Sequence, residues 1–87
     1  VKSRTTRGFR DCFEELPPAI QRQARDAFRF FQENPQHPGL RFKKVHGFEN
    51  VFSVRISRGY RALGTLESDT LVWFWIGSHD EYDRLIP

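Results

Sequence analysis

At 87 residues, 38% of them hydrophobic and 15% aromatic, the chain is sized for one small domain spanning residues 1–87, and it is too apolar to be disordered. Its formal net charge of +3 is carried mainly by arginine, because lysine occurs only at Lys2, Lys43 and Lys44. A single cysteine, Cys12, excludes an internal disulfide and argues against a zinc cluster, and no apolar run approaches the ~18 residues needed to span a membrane.

Val1–Thr6 is too polar for a central strand and fits a short edge strand that ends in a Thr helix cap. It has no apolar segment of the kind that directs secretion, so the expectation is a cytoplasmic, reduced protein. Arg7–Leu16 follows, with Phe9, Cys12, Phe13 and Leu16 at helical spacing. Cys12 on that apolar face reads as a small hydrophobe rather than a nucleophile. Pro17-Pro18 stops the first helix, and Pro18 can open the next, where its missing N–H is not needed. In Ala19–Glu33, residues Ile20, Ala24, Ala27, Phe28 and Phe31 form one apolar stripe, and Arg22, Arg25 and Arg29 form a basic one. Asn34-Pro35 ends it, and the short link at residues 16–18 makes the two helices an antiparallel hairpin.

Gln36-His37-Pro38-Gly39 is a loop in which His37 reads as exposed. Leu40–His46 reads as a strand, with Lys44 and His46 on one face and Lys43 on the other. Three further strands are predicted at Val51–Ile56, Tyr60–Leu66 and Leu71–Ile76, rich in β-branched and aromatic residues and separated by Ser-Arg-Gly and Glu-Ser-Asp. Trp73 and Trp75 both read as packing in the core of the last one. Asp80–Ile86 is a short final helix. The order is (β)ααββββα, an α+β fold. A helix hairpin packs on one face of a mainly antiparallel four- to five-stranded sheet, followed by a short C-terminal helix.

The first hairpin carries the clearest chemical signal. A three-residue loop at Ser57-Arg58-Gly59 sets Ile56 opposite Tyr60 and Arg55 opposite Arg61. Phe52, Val54, Ile56, Tyr60 and Ala62 then share one face, and the two arginines share the other. Like charges directly opposite one another are unfavourable unless something anionic lies beside them. Arginine grips phosphate in a planar fork, so a small Arg-rich domain points to nucleic acid or an acidic protein partner. A basic but inert surface is the alternative.

SVRISRGYRAL followed by WFWIGSHDEYDRLI resembles the RelE/ParE superfamily of toxins from type II toxin–antitoxin pairs, closest to its RelE-like, HigB-related side. LPPAIQRQARDAFRFFQENPQHPGLRFKKVHG is similar to the family's helix hairpin and first sheet strand. The resemblance covers almost the whole chain. It implies a RelE-like fold, a cognate antitoxin held in a hetero-oligomer, no cofactor, and one of two targets. RelE-like members cut mRNA on the ribosome, and ParE-like members poison DNA gyrase. The implied function is a ribosome-dependent, metal-independent mRNA endonuclease, with a gyrase inhibitor or a non-catalytic family member as the alternative.

Cleavage of this type uses the 2′-OH as nucleophile on the adjacent phosphate. It needs a proton acceptor, a donor for the 5′-oxygen and cations for the pentacoordinate phosphate. Arg61 matches the arginine of the family's Tyr-Arg motif and is the first candidate cation, with Arg55 facing it; a surface ion pair with Glu49 or Glu67 is the alternative. His79 and Tyr82 lie three apart and point the same way if a helix starts near residue 79. His79 suits proton transfer, and Tyr82 suits base stacking or proton donation. Many RelE-like members have Arg where this chain has Ser78-His79, so the general acid is left open. His79 capping a turn and Tyr82 packing on the core is the competing account. Lys43, Lys44 and His46 are candidate RNA-phosphate contacts, or else lysines that guard a sheet edge against aggregation. No phosphate-cradling loop, metal-spaced carboxylate pair or nucleophile elbow is present.

Overall fold

The computed structural model describes residues 2–86. β1 (Lys2–Thr5) leads into α1 (Arg7–Glu14) and α2 (Pro18–Glu33). A 3-10 turn at Pro38–Leu40 precedes β2 (Lys43–Lys44), β3 (Val51–Ser57), β4 (Tyr60–Glu67) and β5 (Thr70–Ser78), and α3 (His79–Leu85) closes the fold. The sheet order is β1-β5-β4-β3-β2. β2 to β5 are antiparallel neighbours, and β1 joins β5 in parallel, so the α+β expectation is met by a five-stranded mixed sheet. Among the described residues no helix is long and apolar enough to cross a membrane.

Local chemistry accounts for the helix starts. Thr6 Oγ1 accepts from the Phe9 N–H, capping α1, and Pro18 opens α2 at a position where no N–H is needed. The Gln21 side-chain amide donates to the carbonyls of Phe13, Glu14 and Leu16 at the end of α1 and in the link that follows. One sheet face packs on the helices. Phe28 and Phe31 meet Trp73 at 5.1 and 5.4 Å between ring centroids, and Phe42 bridges Phe31 to Phe52. Ala24, Ala27, Val54, Ala62, Leu71 and Ile76 fill the space between them. Small alanines let α2 approach, and the aromatic rings fill the space between helices and sheet.

Three expectations need correction. Leu40–His46 is not one strand. Arg41 takes a left-handed φ of 45°, ending the 3-10 turn, and only Lys43–Lys44 pairs with β3. His46 therefore lies in a loop, and no strand alternation places it beside Lys44. The first hairpin turns on two residues, Arg58-Gly59, with Ser57 rather than Ile56 opposite Tyr60. Neither turn residue has positive φ, so the turn does not follow the strand twist, and a bulge at Ile56 takes up the mismatch. The Arg55–Arg61 pairing is retained. Finally, Trp75 leaves the core face. Leu63 pairs with Trp75 and Gly64 with Trp73, so Phe74 is an extra residue bulged out to 37% exposure. That bulge puts Trp73 and Trp75 on opposite faces, although two residues apart they would otherwise share one.

Candidate functional site

The sheet face away from the helix hairpin carries the candidate site. Register places the Arg55–Arg61, Arg61–Gly77 and Leu63–Trp75 pairs on this face. α3 is fastened over its end. The His79 N–H donates to the Gly59 carbonyl at 2.7 Å, tying the helix start to the β3–β4 turn. Ser78 and Glu81 form a reciprocal capping box, Ser78 Oγ accepting from the Glu81 N–H and Glu81 Oε1 from the Ser78 N–H. Donation to Glu81 Oε1 from the Ser78 N–H first, and from the Ser78 hydroxyl second, holds the Glu81 carboxyl below the usual carboxylate range. α3 therefore starts at residue 79, and His79 and Tyr82 project from one side of it.

Arg61, His79 and Tyr82 come together. Arg61 Nε donates to His79 Nδ1 at 3.3 Å, and its guanidinium carbon lies 5.4 Å from the centroid of the Tyr82 ring. The His79 and Tyr82 rings stack at 6.2 Å with 19° between planes. His79 Nε2 faces Asp83 Oδ2 at 3.4 Å. Among the described residues no carboxylate lies within ion-pair distance of Arg61; Glu67 instead approaches Arg4 at 3.9 Å. Arg61 Nη1 is buried and has no acceptor, and the same holds for Ser53 Oγ, two residues before Arg55 on β3. Orphaned buried donors are rare, and a guanidinium N–H without an acceptor is the kind of group an anion's oxygen satisfies.

The remaining candidates are spread wider. Arg55 opposes Arg61 in the backbone register and also borders a groove of ≈ 330 Å³ between α2 and the open edge of β3. Lys43 opposes Ser53, on the arginine face, and Lys44 opposes Phe52, on the core face. Lys44 and His46 border a shallow hollow in the loop before β3. Only Lys43 of the three shares the face of Arg61. Among the described residues no three His, Cys, Asp or Glu side chains are placed to hold a metal ion.

Trp75 was missed as a site residue. Its ring lies over Gly77 and 6.4 Å from the Tyr82 centroid, and a Cβ on Gly77 would come within 2.5 Å of it. The sequence signal is the glycine two residues after the tryptophan, which leaves the space the ring occupies. Asp83 was also missed; its signal is the four-residue spacing from His79 on a short helix.

Residues 18–84 match the family model of the ParE-like toxin domain. The chain belongs to that family. The toxin is thus of the RelE/ParE kind found in toxin–antitoxin systems. No curated protein matches its sequence. Solved structures share the toxin's fold at low identity. A chain of the RelB–RelE antitoxin–toxin complex from Methanococcus jannaschii superposes with a TM-score of 0.74 at 17% identity, covering 97% of the toxin and 99% of that chain. The YoeB/ParE toxin from Agrobacterium tumefaciens gives 0.72 at 16% identity, covering 91% and 99%. A chain of the toxin–antitoxin complex RelBE2 from Mycobacterium tuberculosis gives 0.67 at 25% identity, covering 90% and 96%.

Proposed function

We propose that the toxin is a ribosome-dependent mRNA endonuclease that arrests translation and is held inactive by a cognate antitoxin. The observation that carries this reading is the Arg61 guanidinium, pinned through Nε by His79 while Nη1 faces no acceptor. A fold shared by several activities cannot choose among them, so the choice rests on this cluster. Arg61 receives the scissile phosphate. The 2′-oxygen bonds to phosphorus as the bond to the 5′-oxygen breaks, leaving a 2′,3′-cyclic phosphate and a 5′-OH. Negative charge grows on the phosphoryl oxygens in that transition state, where a fixed cation contributes most. Arg55 adds charge from the next strand, and Lys43 extends the cationic track along the backbone of the RNA. Tyr82 and Trp75 offer rings to an unstacked base. The cluster supplies cations and stacking but no strong base. Alignment of the 2′-OH therefore falls to the ribosome, whose hold on mRNA converts the encounter into an oriented, unimolecular step.

The antitoxin part of the reading draws on the RelB–RelE complexes among the structural relatives and on the basic surface of this chain. An acidic, amphipathic antitoxin segment would be steered to that surface, and its association rate should fall as salt rises. The match to a ParE-like family model keeps one rival in view, inhibition of DNA gyrase. Expression without an antitoxin separates the two. The proposal predicts new mRNA 5′ ends inside ribosome-bound transcripts with DNA supercoiling intact. Intact transcripts with lost supercoiling would establish the rival instead.

A further inference from the structure

His79 is occupied at both ring nitrogens. Nδ1 accepts from Arg61 Nε at 3.3 Å, and Nε2 stands 3.4 Å from Asp83 Oδ2. A donor on one side and a carboxylate on the other select a single neutral tautomer, with the proton on Nε2. We propose that Asp83 is a positioning residue that holds Arg61 through His79. This inference rests on the reading of Arg61 as the phosphate-binding cation. Asp83 fixes the proton on Nε2, which leaves the Nδ1 lone pair facing Arg61. That lone pair takes the Nε–H and so fixes the plane of the guanidinium. The logic is that of an oriented imidazole whose far nitrogen is tied to a carboxylate.

The arrangement has a chemical consequence. Protonation of Nδ1 replaces the acceptor with a second donor, and the link to Arg61 breaks. The groups that face the imidazole are Arg61 from β4 and Tyr82 and Asp83 from α3; the Gly59 carbonyl holds only the backbone N–H of His79. His79 also cannot act on substrate without releasing one of its two partners, so its main task is to hold Arg61.

The test is NMR of the intact ¹⁵N-labelled toxin, reading the His79 ring nitrogens and the Arg61 Nε–H across the ordinary histidine range of about pH 5–8. In the wild type, Nδ1 should be unprotonated and Nε2 protonated at the upper end. The Arg61 Nε–H should be slow to exchange there. Asp83→Ala should give mixed tautomers and speed exchange of the Arg61 Nε–H about three- to tenfold, the worth of one net hydrogen bond. Asp83→Glu should restore both. Ribosome-dependent cleavage by Asp83→Ala should fall about tenfold, as removal of outer partners of an oriented histidine does. An unchanged tautomer and unchanged Nε–H exchange in Asp83→Ala would overturn the proposal. A toxin that folds and cuts no RNA would instead sink the proposed function, while the NMR result still decided the role of Asp83.

Discussion

The two faces of one sheet are built on opposite rules. Against α1 and α2, rings and small alanines interlock, and Trp73, Phe31, Val54 and Ala62 are almost wholly excluded from water. On the face under α3, a buried guanidinium nitrogen and a buried hydroxyl lack partners, and the histidine that holds the arginine is half-exposed. The first face is optimised for stability. The second stores unmet hydrogen-bonding capacity, which is costly in a free protein and useful when an anion arrives. Stability and activity in this toxin are therefore expected to fail independently.

The largest break in that comparison should come from the packed face. Trp73→Ala removes the ring that joins Phe28 and Phe31, and should cost about 3–5 kcal/mol in urea unfolding, enough to unfold much of a domain this small. Arg61→Ala should do the reverse, leaving stability nearly intact and slowing RNA cleavage about 10²–10³-fold in single-turnover assays. Arg61→Lys should recover only part, because a point charge lacks the planar fork.

A smaller effect is expected at the seam between the faces. Ser78→Ala removes the helix cap and should cost about 1 kcal/mol by denaturant titration. The Glu81 carboxyl is held below its ordinary range by the same cap, so its contribution is complete above that range and is lost as pH falls through the depressed value. Acid should therefore loosen α3 in the wild type, and this part of the acid sensitivity should be reduced in Ser78→Ala. The smallest effect should be Tyr82→Phe. It keeps the ring that stacks with His79 and lies under Arg61, and a near-wild-type cleavage rate would mark Tyr82 as a stacking group rather than a proton donor.

The packed face was the easier one to read from the sequence. The spacing of Ala24, Ala27 and Phe31 in α2 needs only helical periodicity, and the β3–β4–β5 meander needs only turn residues between β-branched runs. The Arg55–Arg61 opposition was legible too, because the hairpin's pairing at those positions is preserved even though the turn is one residue shorter and a bulge compensates. The Trp75 placement was not. A bulge at Phe74, inside an unbroken apolar run without glycine or proline, carries no local signature, and it sets Trp75 on the face opposite Trp73. The Leu40–His46 region misled for a related reason. Its alternation is strand-like, but the left-handed Arg41 and the burial of Leu40 are set by tertiary contacts. Asp83 gains meaning only once Arg61, eighteen residues before His79, is known to hold the other side of the imidazole.

The central claim is that the face left unsatisfied is the face that binds the scissile phosphate. Its most direct test is single-turnover cleavage of mRNA on programmed ribosomes by wild type and Arg61→Ala, with far-UV circular dichroism and antitoxin binding as controls for folding. The account predicts a folded, antitoxin-binding Arg61→Ala protein that cuts about 10²–10³ times more slowly. A folded Arg61→Ala protein that cuts at the wild-type rate would contradict it.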